Sequence, residues 1–184
     1  MYPLVIWNAR GLGARVKTDF LASEIKKNRV LIAAVLGHKQ APARINQFSR
    51  KIGMHASMHA DPANRHIWVF WKRDVSVALL QAGDQYMTMM VKFGRCSVIV
   101  TFVYGRCDSH RREALWQDLS GLDPGEEPWI IGGDFNIMAD PEEKKGRGAF
   151  PRGDTMAFSR FMARNGLMDL GYTDRFTWCN NQKG

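Results

Sequence analysis

Two hydrophobic periods divide this chain. Leu4 to Trp7 is a short apolar, β-prone run at the N-terminus. Val16, Phe20, Leu21 and Ile25 then recur at helical spacing with charges between them, which predicts an amphipathic helix. Val30 to Leu36 is continuously apolar, as a strand buried on both faces must be. From His66 to Tyr104 the period shortens to that of strands. Ile67–Trp71, Val75–Leu80, Tyr86–Val91 and Ser97–Tyr104 are separated by turn-like stretches, which reads as an antiparallel meander. Asp108 or Ser109 can cap a helix carrying Leu115, Trp116 and Leu119 that ends near Gly121. Trp129-Ile130-Ile131 is a further buried strand, and a last helix from Asp154 carries Phe158, Phe161 and Met162 inward and stops at Gly166. Helices between groups of strands predict sheets covered by helices, an α+β arrangement. The pattern leaves one sheet or two open.

Composition narrows the class. A chain of 184 residues, 45% of them hydrophobic, builds one domain with a real core and falls short of two. No linker or internal repeat divides it, so a single domain over residues 1–184 is expected. No apolar run approaches the roughly 18–20 residues that span a bilayer. The apolar N-terminus lacks a basic flank and reads as a first strand, not a signal peptide. The three cysteines, Cys96, Cys107 and Cys179, are odd in number and at no metal-binding spacing, so a reducing, intracellular compartment, nuclear or cytoplasmic, is expected. His55 and His59 stand four apart without a metalloprotease-type glutamate, and Gly53 and Pro62 flank them; a loop or strand suits them better than a zinc helix. The net charge of +8 favours a polyanion such as nucleic acid. An ordinary basic soluble protein is the equal alternative.

Chemistry concentrates in Ile130-Ile131-Gly132-Gly133-Asp134-Phe135-Asn136. A buried strand delivers a carboxylate and a carboxamide to its C-terminal end. At i and i+2 on extended chain they point the same way. Such a pair can orient a water, Asp134 accepting its proton while Asn136 fixes a neighbouring oxygen. A strand that simply ends in a Gly-Asp turn is the plain alternative. Trp7-Asn8-Ala9-Arg10-Gly11-Leu12 follows the first strand, and there Asn8 could bind a metal or a phosphate oxygen.

Taken together, these segments resemble the endonuclease/exonuclease/phosphatase superfamily. Trp7-Asn8-Ala9-Arg10-Gly11-Leu12 looks like its opening motif, Val103-Tyr104-Gly105 its central tyrosine motif, and Gly133-Asp134-Phe135-Asn136 its catalytic Asp-x-Asn. Ile67–Lys72, Arg111-Arg112 before Leu115-Trp116, Pro128–Asn136 and Phe176–Asn181 are similar to plant LINE-type (non-LTR) retrotransposons, where this domain precedes a reverse transcriptase. The resemblance implies a four-layer α/β/β/α sandwich of two mainly antiparallel sheets. It implies Mg²⁺-dependent hydrolysis of a nucleic-acid phosphodiester, the ion stabilising charge on the phosphate and leaving oxygen. Asn8 would hold metal or phosphate, Tyr104 would hydrogen-bond the phosphate, Asp134 would activate water and Asn136 would orient the site. Arg10, Arg15, Lys39, Arg106, Arg147 and Arg152 lie in loops expected to rim the cleft and meet DNA.

The sequence departs from that pattern twice. The family carries a metal-binding glutamate after the strand that follows the first helix. Here the strand runs into Val35-Leu36-Gly37-His38-Lys39, and Gly37 offers no oxygen to a hard cation. The family also continues beyond Phe176-Thr177-Trp178 with an Asp-bearing strand and a Ser-Asp-His motif, whereas the sequence ends at Gly184. The expectation is a chain with the family fold, incomplete at the C-terminus, and an inactive site. The alternative is a basic fragment that binds nucleic acid without cutting it.

Overall fold

The computed structural model describes residues 4–143 and 152–171. They form two compact units. One comprises residues 4–106 and 122–136, the other the described residues of 107–121 and 137–171.

The first unit is built on two four-stranded sheets. Strands β1 (Leu4–Asn8), β2 (Ile32–Leu36), β3 (Ala56–Ala60) and β4 (Asn64–Trp71) form one sheet in the order β1-β2-β4-β3. The pair β1–β2 is parallel and the others antiparallel. Strands β5 (Val75–Gly83), β6 (Tyr86–Phe93), β7 (Cys96–Tyr104) and β8 (Trp129–Asp134) form the second in sequential order, with β7–β8 parallel. The continuous apolar run in β2 has a direct cause. Ile32, Ala34 and Leu36 pack into the core shared with Met87, Met89 and Phe102 of the second sheet. Ala33 and Val35 face the other way, toward helices α1 (Arg15–Lys27) and α2 (Ile45–Lys51). Alternate residues of one strand thus serve two different cores. Helices, first sheet and second sheet stack as layers, and the α+β sandwich is established.

Three sequence expectations need correction. Strand β8 is not buried: Trp129 and Ile131 are half-buried and Ile130 is exposed. The run at Ile67–Trp71 is not part of the meander. It lies in β4 of the first sheet, and the meander is β5–β6–β7. Periodicity reports that a segment is extended, not which sheet it joins, and the Lys72-Arg73-Asp74 connection carries the chain from one sheet to the other. In α1 only Leu21 and Ile25 are buried, while Val16 and Phe20 are 71% and 55% exposed. At 3.6 residues per turn Val16 and Leu21 stand roughly 140° apart, so the four residues make two stripes, and one faces the sheet. Phe20 leans on the Trp7 ring at 6.1 Å.

The second unit holds α3 (Ser109–Ser120) and α4 (Arg152–Arg164). Asp108 caps α3 by accepting the Arg111 N–H at 3.1 Å. Trp116 packs against Phe158 and Phe161, with ring centroids 5.2 and 5.1 Å away. Buried Arg112 meets Asp154 at 2.6 Å. Helix α4 starts two residues before Asp154, which sits in its first turn where the helix dipole favours an anion.

Candidate functional site

Parallel pairing sets the site. It brings the C-terminal ends of β1 and β2 together, with Asn8 opposite Leu36, and those of β7 and β8 together, with Tyr104 opposite Asp134. At these ends a hydrogen bond crosses from one sheet to the other, from Asn8 Nδ2 to Asp134 Oδ2 at 2.6 Å. The other carboxylate oxygen, Oδ1, accepts the Asn136 N–H at 3.0 Å. Asn136 is not extended but sits at φ +49°. Its carboxamide donates to the Gly105 carbonyl at 2.6 Å, and the Gly105 N–H donates to the Asp134 carbonyl at 2.8 Å. Asn136 therefore braces the loop after β7 against the end of β8. The i, i+2 alignment of extended chain stops at Asp134.

Glycine makes this half of the cleft possible. Gly133 lies at φ +154°, and a Cβ there would fall 1.9 Å from the Val103 carbonyl oxygen. A Cβ at Gly105 would fall 2.5 Å from the Phe135 carbonyl oxygen. Both neighbours are backbone and have no side chain to swing away, so β8 closes on β7 only without a Cβ.

Gly37 lies between the two halves. It holds φ +59°, and a Cβ there would stand 3.0 Å from Asn8 Oδ1 and 3.0 Å from the Tyr104 hydroxyl. Its backbone ties the end of β2 to β4 and to the loop after β1: its N–H donates to the His66 carbonyl at 2.8 Å and its carbonyl accepts the Gly11 N–H at 2.7 Å. The structure thus gathers Asn8, Gly37, Tyr104, Asp134 and Asn136 around the adjoining ends of β1, β2, β7 and β8, the side taken as the cleft. His66 lies beside Tyr104 with ring centroids 5.8 Å apart. Burial, and then the nearby Arg106 charge, hold its pKa below the usual histidine value.

These residues do not fit a divalent cation. The cluster contains one carboxylate, Asp134, and both its oxygens already accept hydrogen bonds. Asn8 Oδ1 accepts the Arg10 N–H at 3.1 Å. Among the described residues no group of three or more His, Cys, Asp or Glu converges on a point that could hold a metal ion. A hard cation such as Mg²⁺ needs carboxylate oxygen, and Gly37 supplies none.

The basic residues expected around the cleft are placed unequally. Arg10 stands two residues past the Asn8 strand end, with φ +46°. Lys39, at φ +53°, runs its side chain past Gly11. Arg106 is engaged by Asp84 through Nε at 3.0 Å and Nη2 at 2.5 Å, which raises its pKa. Arg15 opens α1, 93% exposed at its side chain and 3.6 Å from Asp19. Arg147 lies outside the described residues, as do the Arg152 side chain and the Phe176–Asn181 segment. Sequence reasoning missed Lys17. Its ammonium donates to the carbonyls of Ala9 at 2.7 Å and Gly11 at 2.8 Å, fixing the loop that carries Asn8 and Arg10. No pattern marks it apart from other helix lysines.

Compared with protein-family models the sequence matches none, and no curated protein matches it. Solved structures do. The chain is similar to the endonuclease domain of TRAS1, a telomere-specific non-LTR retrotransposon, with TM-score 0.68 and 15% identity over 94% of this chain and 76% of that one. It is similar to the AP endonuclease LMAP from Leishmania major, with TM-score 0.65 and 13% identity over 89% of this chain and 66% of that one. A third likeness is to TDP2 of D. rerio complexed with a single-strand DNA product, with TM-score 0.58 and 13% identity over 91% of this chain and 66% of that one. At these identities the likeness is one of fold.

Proposed function

We propose that this chain is an endonuclease-type nucleic-acid-binding domain of the kind carried by plant non-LTR retrotransposons, in which the cleft still receives a DNA phosphodiester and no longer hydrolyses it. The observation that carries this reading is the Asn8–Asp134 hydrogen bond across the two sheets, with Gly37 rather than a carboxylate between Asn8 and Tyr104. Solved structures with this fold include nucleases, and one holds a DNA product. The opening, tyrosine and Asp-x-Asn motifs lie in the order that such domains use.

In this reading each group has a task its surroundings permit. Tyr104 offers a hydroxyl donor to a phosphate oxygen. Asn8 and the Asn136 N–H hold the Asp134 carboxylate in one orientation, where it can accept a proton from water. The charge that builds on the phosphate during hydrolysis has no counterpart in the cluster, and electrostatic stabilisation of that charge is usually the largest catalytic contribution. Mg²⁺ is the cofactor that the motif resemblance implies, and the donor set does not fit it, so no step is assigned to it.

Binding is electrostatic and tolerant of sequence, with Arg10, Lys39 and Arg15 as phosphate contacts and Arg106 restrained by Asp84. Fluorescence anisotropy on a labelled DNA duplex tests this. Affinity is expected to fall with salt at a log–log slope of about −0.9 per phosphate contact. Tyr104→Phe is expected to weaken it further. A salt-independent affinity, or none at all at low salt, would contradict the reading.

A further inference from the structure

Directly after Gly37 the chain turns His38 away from the cleft and buries it, 1% exposed, face to face with Trp68 at 3.9 Å between ring centroids. Its Nδ1 accepts the Gln40 N–H at 3.1 Å. The neutral ring therefore carries its proton on Nε2. That buried Nε2 has no hydrogen-bond partner. The Arg65 carbonyl is near enough to raise the basicity of the ring, but it does not complete a bond. Buried donors are almost always paired, and one that is not asks for a ligand or an ion.

His38 lines a pocket of about 240 Å³ together with Gln40, His59, Asp61, Arg65 and the Trp68 ring. The groups around it are mostly donors. His59 Nδ1 accepts the Asp61 N–H at 3.3 Å, which leaves Nε2 as its protonated atom. The Gln40 side-chain oxygen accepts from Arg44 at 2.8 Å, so the NH₂ is what Gln40 has left to offer. Asp61 is the one acid of the pocket lining, and Arg65 Nε neutralises it at 2.6 Å. The Arg65 side chain is 69% exposed at the rim. A pocket of donors with its acid already paired suits an acceptor-rich, anionic guest.

We infer that this pocket is a second phosphoryl-binding site, separate from the Asp134 cleft, in which His38 Nε2–H and Arg65 hold phosphate oxygens. The two sites share the end of β2, Gly37 facing one and His38 the other. The phosphoryl group comes from the DNA strand that enters the cleft, and to that extent the inference rests on the proposed function. Free phosphate has the same chemistry, and the experiment separates the two sources.

The whole chain is titrated with inorganic phosphate, then with a short single-stranded oligonucleotide. Imidazole ¹H–¹⁵N spectra follow the His38 Nε2–H, and anisotropy gives the oligonucleotide Kd. Both ligands are expected to shift the His38 signal. His38→Phe keeps the ring on Trp68 and removes the donor, and it is expected to weaken the oligonucleotide about tenfold. Arg65→Gln, at an exposed position that leaves the core intact, is expected to weaken it several-fold. Asp134→Ala, altering the cleft alone, is expected to leave the phosphate-induced shift at His38 in place. If phosphate shifts His38 but the oligonucleotide does not bind, the pocket stands as a free-phosphate site and the cleft reading fails. If neither ligand moves the His38 signal, and Arg65→Gln binds the oligonucleotide as tightly as the parent chain, the second site is refuted.

Discussion

Strands β8 and β2 end at the same cleft and end there in opposite ways. The end of β8 is closed by backbone: Gly133 and Gly105 let carbonyls approach, Asn136 braces the loop, and both Asp134 oxygens are engaged. The end of β2 is made of deficits. Gly37 presents no side chain to the cleft, and its neighbour His38 presents a buried donor without a partner to the opposite face. The difference separates two requirements that sequence motifs merge. One half of the cleft fixes a carboxylate in place. In the proposed reading the other half would have to hold the positive charge that meets the phosphate, and a well-formed first half does not do that.

The largest expected effect breaks the closed half. Gly133→Ala forces a Cβ to 1.9 Å from the Val103 carbonyl, a backbone conflict that should cost about 4 kcal/mol or more. Urea denaturation measures it. A variant within 1 kcal/mol of the parent, as a rough bound for near-neutral change, would mean that β8 is not locked as described.

The next effect reads the β2 end through acid. Burial, followed by the charges His66 and His59 would carry, pushes the His38 pKa down to about 4 from 6.5. The unfolded chain then takes up the proton first. Stability from this group is full above about pH 6.5, falls as pH drops through that window, and levels off near pH 4. The loss is on the order of 3 kcal/mol, at about 1.4 kcal/mol per pKa unit. His38→Phe should flatten that part of the profile. An unchanged profile would show that His38 is not buried neutral.

Smaller effects probe the two halves where they meet. Gly37→Ala puts a side chain at φ +59° and 3.0 Å from both Asn8 Oδ1 and the Tyr104 hydroxyl. The left-handed backbone alone costs roughly 1–2 kcal/mol. Gly37→Glu carries the same left-handed strain and should cost at least as much stability as Gly37→Ala. Asn8→Ala removes the bond to Asp134 and should cost about 1 kcal/mol. Equal stability of Asn8→Ala and the parent would make the cross-sheet bond incidental.

Much of this was legible in the sequence, and the gaps have physical reasons. Short motifs at strand ends marked Asn8, Tyr104 and Asp134, because parallel neighbours deliver their C-terminal ends to one place. The departure at Gly37 was visible too, as a missing carboxylate. Its left-handed backbone was not, since glycine is compatible with any conformation. Strand β4 was found but read as part of the meander, because alternation carries no information on partners. Strand β3 could not be told from a loop, and helix α2 was not read at all, because Ala56–Ala60 and Ile45–Lys51 are short and weakly periodic. The pairing of Arg106 with Asp84 joins residues 22 apart in sequence and left no local trace. The packing of His38 on Trp68 was equally hidden, arising only when β2 and β4 become neighbours.

The measurement closest to the central claim is Mg²⁺-dependent nicking of supercoiled plasmid by the purified chain, with Asp134→Ala as the control and DNA binding confirmed in the same buffer. Bound plasmid that is nicked no faster by the parent than by Asp134→Ala is the expected result. Nicking by the parent that Asp134→Ala abolishes would contradict it, and would show that the cleft holds the positive counter-charge without a carboxylate at position 37.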